Sequence, residues 1–453
     1  MTARLMRMQR PSSILAVLGI ATLALVPAYA DEPGAVKLTL SHEVEVSNNA
    51  DGGRLRCEPS VAIFGDEIVV AWNDSYGGRL GASTGVAVAW AISRDGGASY
   101  KFGDYLPAAS QEQPPSAADS RLACDAEGNF YLLLLNWTKT GHALRFYVMP
   151  RDRRGRWREV ASPDKTTSKP SIDKPDLAVT PQGKVAVAYT RGKSIFFVVS
   201  NDAGLHWQPP LRISASDARL RTGASVAIID QAVVAAWLEG GGMALTEVWS
   251  ARSADGGASF AKPQLAYTLS GHVRPPSGYA LGVGPAGFIA NDVNIAGYAV
   301  DDGSSVFSLT CIEGAGEGAR VFLLRSTDGG RKWSKPQTVG YSPSGAAKVF
   351  STIALLGRQP AILYYDRRHS PATAMTDVFL SLGIEGGSFA DRKLNSVSTD
   401  WLKTPGDKEH APIQRNFGDY ISLAAHGRRA VAVWTDGRSG APRIWSRVIE
   451  LNK

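Results

Sequence analysis

The chain has 453 residues, with 49 Lys plus Arg against 42 Asp plus Glu and a formal net charge of +7. Its 44% apolar and 20% charged content is globular and excludes a disordered polar chain. With 47 Gly, 25 Pro and 11 Trp, many turns around an all-β interior are expected, and the basic balance makes the location of the excess charge the first question.

Met1 to Arg10 carries Arg4, Arg7 and Arg10 and no acid; Ser13 to Pro27 is mostly apolar; Ala28-Tyr29-Ala30 precedes Asp31-Glu32. This three-part pattern predicts a signal peptide over 1–30, cleaved after Ala30. Its apolar run is shorter than the ~20 residues a membrane span needs. Three of the seven net charges leave with it, so the mature domain, 31–453, carries +4. A secreted or periplasmic protein is expected, a monomer with no transmembrane anchor and no nucleic-acid partner.

Beyond the leader, Val36 to Val46 alternates as a strand does. Paired strands then recur. Ser60 to Phe64 and Ile68 to Trp72 flank the turn Gly65-Asp66-Glu67, and Val86 to Ile92 leads into Ser93-Arg-Asp95-Gly-Gly97-Ala-Ser-Tyr100. The pattern Ser-x-Asp-x-Gly-x-x-aromatic returns at Ser200-Asp202-Gly204-Trp207, Ser253-Asp255-Gly257-Phe260 and Ser326-Asp328-Gly330-Trp333. Chance would supply about 0.02 such matches in a chain of this composition. Degenerate copies stand at Arg151-Asp152…Gly155…Trp157 and at Ile384-Glu385-Gly386-Gly387-Ser388-Phe389. A short carboxylate can accept hydrogen bonds from its own turn, Gly supplies the positive φ, and the aromatic packs the hairpin down.

Each repeat thus closes a unit of four antiparallel strands, which is a propeller blade. The last unit, Tyr420 to Ala425, Ala430 to Trp434 and Arg443 to Ile449, lacks an outer strand, which the N-terminal strand can supply. The expected fold is an all-β propeller closed by its own N-terminal strand. Seven blades of roughly 60 residues are favoured over six of about 70, with the second unit, around Leu132 to Leu135, deciding the number.

The four repeats resemble the Asp-boxes (BNR repeats) of the sialidase, or neuraminidase, superfamily, across nearly the whole mature chain. In that likeness Asp95, Asp202, Asp255 and Asp328 are structural. It implies an arginine triad gripping a substrate carboxylate, a Tyr–Glu nucleophile pair and an Asp acid/base. The place of the first triad arginine reads Leu55-Arg56-Cys57-Glu58-Pro59-Ser60, where Glu58 and one extra residue depart from the aromatic-Arg-Ile-Pro pattern.

Alternation of strand direction puts the repeat turns on one face. Residues at the starts of first strands and the ends of second strands lie on the other, where a propeller binds ligands. On that face the substrate-binding candidates are Arg56, Arg121, Arg221, Arg368, Arg415, Asp436 and Arg438, and the catalytic candidates are Tyr420, Tyr365, Glu239, Asp74 and Asp173. Arg forks suit carboxylates, and acids and aromatics suit sugar hydroxyls and rings. Pairs such as Asp436 and Arg438 equally fit a structural role.

The histidines show no metal-ligand spacing, and no phosphate-cradling Gly loop is present, so neither metal nor cofactor is expected. Cys57 and Cys124 differ by about six positions in register, ~20 Å, and no disulfide is expected; Cys311 reads as a small buried hydrophobe. Two functions fit: an exported glycosidase acting on a glycan or glycoconjugate, exo-sialidase-like, or a non-catalytic propeller binding carbohydrate or protein at the cell envelope.

Overall fold

The computed structural model describes residues 37–48, 56–75, 86–106, 116–138, 141–167, 170–241, 244–273, 293–314, 319–341, 346–370, 375–384, 387–401 and 418–452. The expected signal peptide, Val36 and Arg415 lie outside these residues.

The described strands form seven antiparallel sheets, six with four strands in sequence order from the centre outward and one closed by an N-terminal strand, and three of the sheets add a short fifth strand. Blade 1 runs Arg56–Phe64, Glu67–Ser75, Val86–Ser93 and Lys101–Leu106. Blade 2 follows with Ser116–Cys124, Phe130–Thr138, Gly141–Met149 and Arg158–Ala161. Blade 3 has Ile172–Val179, Val185–Arg191, Ser194–Ser200 and Leu211–Arg212, and blade 4 has Leu220–Ile229, Ala232–Gly240, Leu245–Ser253 and Gln264–Val273. Blade 5 comprises Asn294–Ala299, Ser305–Glu313, Arg320–Ser326 and Gln337–Thr338; blade 6 comprises Lys348–Leu356, Gln359–Asp366, Met375–Gly383 and Phe389–Lys393. In blade 7, Ser422–His426, Arg429–Asp436 and Arg443–Leu451 take their fourth strand from Leu38–Leu40, which pairs Leu38 with Leu451 and Leu40 with Ile449. Seven blades and closure by the N-terminal strand are therefore observed. The second unit is a full blade although its repeat is degenerate.

Second strands lie sandwiched between neighbouring blades, so they read as continuous apolar runs rather than as alternating ones. Ile68 to Trp72, Val185 to Tyr189, Val233 to Leu238 and Ala430 to Trp434 are all fully buried. The repeat turns link these layers. In each, the Ser hydroxyl donates to the Asp carboxylate and accepts from the second Gly N–H: Gly97 N to Ser93 Oγ is 2.8 Å, Gly204 N to Ser200 Oγ 2.9 Å, Gly257 N to Ser253 Oγ 2.9 Å and Gly330 N to Ser326 Oγ 2.8 Å. Those glycines have φ between +83° and +95°. A Cβ there would meet the preceding blade at 2.1–2.7 Å, as at Phe146 beside Gly204 and Val234 beside Gly330. The closing aromatic reaches the same neighbour: Trp207 packs on Phe146 at 5.1 Å, and Phe260 on Phe197 at 4.8 Å. The turns also bond to the inner hairpin of their own blade, Gly96 N to Asp66 O and Gly256 N to Gln231 O, so both kinds of turn share one face.

Five of the first strands cross a β-bulge near their start, so that of blade 1 begins at Arg56, four residues before the expected Ser60. The ladder slips between Cys57 and Ser60, Ala118 and Arg121, Asp173 and Asp176, Thr222 and Ser225, and Val349 and Thr352. At the same place in each slip stands a residue with positive φ: Glu58 (56°), Asp119 (53°), Lys174 (50°), Gly223 (66°) and Phe350 (54°). Non-glycine residues rarely adopt this conformation, and a bulge re-aims the side chain that carries it.

Candidate functional site: the carboxyl-lined mouth of the channel

Behind the bulges, first strands surround a central cavity of about 170 Å³, lined among others by Ser60, Arg121, Asp176, Phe350, Asp419 and Tyr420. Polar side chains stitch the blades around it. Ser60 and Ser120 hydroxyls meet at 3.1 Å, Ser225 Oγ donates to Asp176 Oδ2 at 2.6 Å, and Asn294 Nδ2 donates to Ser351 O at 2.8 Å. The bulge residues come one or two positions earlier in the chain, on the side where first strands enter, opposite the repeat turns.

There the bulges of blades 1, 2 and 3 bring carboxyl groups together. Asp119 acts on both Glu58 and Asp173, raising the carboxyl of each. Glu58 and Asp119 are buried, whereas Asp173 faces solvent in the depression. Glu58 also accepts from Asn73 Nδ2 at 2.5 Å and from the Asp419 N–H at 3.0 Å. Burial, and then the neighbouring Asp119 and Asp419 charges, push its carboxyl well above the ordinary range. Asp173 is pushed up to about 7, first by the protein packed around it and then by Asp119. A carboxyl with that value is a proton donor near neutrality, and such shifts cluster at functional sites.

Cations brace this group. Lys174 Nζ binds Asp419 Oδ2 at 2.6 Å and lies 4.5 Å from the Tyr420 ring centroid, while the Arg121 guanidinium lies 4.0 Å from the same centroid. Arg121 Nε also reaches Asp176 Oδ1 at 3.5 Å. Of the residues expected from sequence, Asp173, Tyr420 and Arg121 meet here.

The other expected residues that are described lie elsewhere, the arginines and their acids mostly paired within one blade, while Tyr365 bonds across from blade 6 to blade 7. Arg56 binds Asp74 at 3.1 Å and Arg221 binds Glu239 at 2.7 Å; in each case the two are direct register partners, fully or almost fully buried. Trp72 and Trp237 indoles donate to those same carboxylates. In blade 7, Trp434 and Arg438 both donate to Asp436. Arg368 binds Asp366 and Asp391 at 2.7 Å. Tyr365 Oη donates to Thr435 O at 2.8 Å and accepts from its N–H at 3.0 Å. These arginines do not converge on one cavity.

Glu58, Asp119, Lys174 and Asp419 were not among the expected site residues, because nothing in a Glu, Asp or Lys codon announces positive φ. Blade 4 held the one legible copy of the signal: Gly223 occupies the bulge position there, and aligning the first strands on it points to the other four.

Among the described residues, no group of three or more His, Cys, Asp or Glu is arranged to hold a metal, and no helix is long and apolar enough to cross a membrane. Cys57, Cys124 and Cys311 are thiols rather than disulfides.

The molecule is thus a seven-bladed propeller whose channel opens among clustered carboxyl groups. No protein-family model matches the chain, and no curated protein matches it significantly. Solved structures do. An ulvan lyase of polysaccharide lyase family PL25 is 9% identical with a TM-score of 0.52, covering 89% of this chain and 95% of that one. The Penicillium chrysogenum α-L-arabinanase complexed with arabinobiose is 11% identical with a TM-score of 0.50, over 91% and 99% of the two chains. The GH93 α-L-arabinofuranosidase of Fusarium graminearum is 14% identical with a TM-score of 0.50, over 76% and 97%. At these identities the likeness is one of fold.

Proposed function

We propose that this protein is an exported, carbohydrate-active propeller that holds the end of a glycan chain at the channel mouth. There Asp173 would protonate the departing glycosidic oxygen. The observation that carries this reading is the placing of Glu58, Asp119 and Asp173 at the bulges of three adjacent blades, with Asp173 raised to about 7. Glycoside cleavage needs such a neutral carboxyl as proton donor while water, or a carboxylate about 5–9.5 Å away, attacks the anomeric carbon. The propellers named above, by their own descriptions, act on glycans, which makes this fold a serviceable scaffold for the chemistry. A cavity of about 170 Å³ is smaller than the ~300–1,000 Å³ of ordinary ligand pockets and favours a chain end over a chain interior.

The common geometry of the four Ser-x-Asp-x-Gly turns supports membership among Asp-box propellers. The sialic-acid form of the reading has less support, since Arg56, Arg221 and Arg368 are engaged by acids of their own blades and the mouth is rich in carboxylates. A neutral glycan suits it better. The leader over 1–30 supports export.

Purified mature protein is to be screened against fluorogenic arabinosides, sialosides and neutral hexosides, with Asp173→Asn as control. Turnover lost in the control is the expected result. Absence of both turnover and glycan binding across the panel overturns the proposal, whereas binding without turnover moves the protein to the non-catalytic class.

A further inference from the structure

Removal of the leader leaves an expected net charge of +4, and residues 151–158 alone carry five arginines against one acid, Asp152. One turn therefore matches the whole positive excess of the mature domain. It is the degenerate repeat of blade 2. With no Ser–Asp pair to close it, the chain makes a short 3₁₀ turn over Arg151–Arg153, in which Arg153 N donates to Pro150 O at 3.0 Å and Arg156 N to Arg153 O at 3.3 Å.

Two side chains hold this turn down. Arg154 Nε donates to Glu67 Oε1 of blade 1 at 2.8 Å, and its Nη2 donates to Gly128 O. Trp157 packs edge-on against Trp90 of blade 1, with ring centroids 6.0 Å apart. Arg151, Arg153, Arg156 and Arg158 are exposed, and Arg151 reaches over the Phe64 ring at 5.1 Å. Arg94, from the repeat turn of blade 1, joins them: its guanidinium lies 3.9 Å from where a Cβ on Gly155 would stand. Among the described residues none of these five guanidinium groups is in an ion pair. Of the neighbouring acids, Glu159 is held by Arg145 at 2.9 Å, and Asp95 by Ser93 and Ser99 of its own turn. Asp152 and Glu127 are exposed.

Unpaired like charges on one turn stand within a Debye length, ~8–10 Å at ordinary salt, and repel one another. A polyanion relieves that repulsion, and guanidinium forks grip carboxylate, sulfate and phosphate oxygens in pairs. We propose that the strip formed by Arg94, Arg151, Arg153, Arg156 and Arg158 is a binding surface for an acidic polysaccharide, a chain with repeating sulfate or carboxylate groups. A bilayer fits less well, because none of the large exposed hydrophobic side chains among the described residues lies in blade 1 or blade 2 to enter the interface. Single-stranded nucleic acid fits less well, because the two tryptophans at the strip pack on each other rather than standing open to bases. The strip is on the repeat-turn face, opposite the carboxyl-lined mouth, whose acids repel the same polymer. This contact is thus separate from the ligand of the mouth and does not rest on the function proposed above.

Calorimetry on the protein with heparin, a sulfated polysaccharide, and with polygalacturonate, a carboxylated one, tests the surface between about 50 and 200 mM salt. At least one should bind, more weakly as salt rises, and which one does so distinguishes sulfate from carboxylate. Arg153→Gln combined with Arg156→Gln leaves Arg154 and Trp157 in place. It should weaken binding at least about tenfold and lower the slope of log affinity against log salt by about two. Lys332→Gln combined with Lys335→Gln removes the same charge from exposed positions at the repeat turn of blade 5, and should bind as the wild type does. Equal losses in the two double variants reduce the strip to net charge and overturn the proposal. So does failure of both polysaccharides to bind; duplex DNA or phosphatidylglycerol vesicles binding in their place would assign the strip to that partner instead. The glycoside screen reads the mouth separately, so a protein without turnover leaves this surface standing.

Discussion

Glu43 Oε2 and Arg438 Nη1 meet at 2.6 Å across the blade that closes the ring. Glu43 lies between the two N-terminal segments that pair with Arg443–Leu451, and its side chain is only 8% exposed. Arg438 in turn holds Asp436, and the Ser396 N–H from blade 6 donates to Glu43. One buried carboxylate therefore ties the N-terminal strand to two blades. Replacing it by Ala leaves Arg438 with Asp436 as its remaining acid, and leaving a largely buried charged group short of one partner costs about 1–3 kcal/mol. Glu43→Ala should lower unfolding free energy by that order in a urea titration. A loss within the scatter of exposed surface pairs, ~0–1 kcal/mol, would show that the latch is not what holds the ring.

Arg221→Met tests whether the arginines of second-strand ion pairs serve the blade or the ligand. Arg221 is fully buried and bound to Glu239, so the variant leaves that buried carboxylate with only the Trp237 indole and Arg219 at 3.2 Å. Destabilisation of about 1–3 kcal/mol is expected. Any ligand found for the mouth should bind the surviving folded protein with unchanged affinity, measured by calorimetry. A large loss of affinity at full stability would assign Arg221 to the ligand instead.

The repeat turns make a prediction about glycine. Gly204 and Gly303 share positive φ, +85° and +79°, but a Cβ on Gly204 would lie 2.1 Å from the Phe146 ring, whereas nothing stands within 4 Å of Gly303. Gly303→Ala should cost only the backbone strain, about 1–2 kcal/mol. Gly204→Ala adds overpacking of about 1–3 kcal/mol and should unfold at clearly lower denaturant. Equal midpoints for the two variants would contradict the packing of that turn against blade 2.

Stability should respond to pH with opposite signs at the two faces. At the repeat turns, the Ser99 hydroxyl and N–H hold the Asp95 carboxyl down to about 2, and the His206 N–H does the same for Asp202. Their contribution is complete above the unfolded Asp value, near ~3.9, and is lost as pH falls toward about 2. Asp173 is raised to about 7, so its folded form is favoured by protonation: stability rises as pH falls from about 7 toward ~4 and is lowest above about 7. Thermal melts should therefore find Asp173→Asn more stable than wild type at alkaline pH, with the gap closing on acidification. Asp95→Asn should be weaker than wild type at neutral pH, with that gap closing only at strongly acid pH. A pH-independent difference in either variant would remove the corresponding carboxyl from this account.

Much of the architecture was legible because it repeats. Ser-x-Asp-x-Gly turns mark third-to-fourth hairpins through local hydrogen bonds that any copy must make. Apolar runs such as Val185 to Tyr189 mark second strands, because a strand buried on both faces has no polar positions to alternate. The short last unit and the alternating N-terminal stretch together implied closure, since an open ring would leave two bare sheet edges. By contrast, the arginines and acids at strand ends were legible only as a class. Arg56 and Arg121 look alike in sequence; one is bonded across its strand pair to Asp74, while the other stacks on a tyrosine nearly three hundred positions away.

That difference marks where sequence stops. By itself it determined the blade number favoured, the repeat turns, the closing strand and the face that carries the strand entries, all of which follow from local hydrogen bonding and the period of apolar residues. Only the tertiary structure decided which polar residues face one another there. Glu58, Asp119 and Asp173 belong to three separate blades and stand at bulges whose positive φ, at Glu58, Asp119 and Lys174, their side chains do not advertise. The rise that Asp119 causes in Glu58 and Asp173 is a property of that arrangement and of no single stretch of chain.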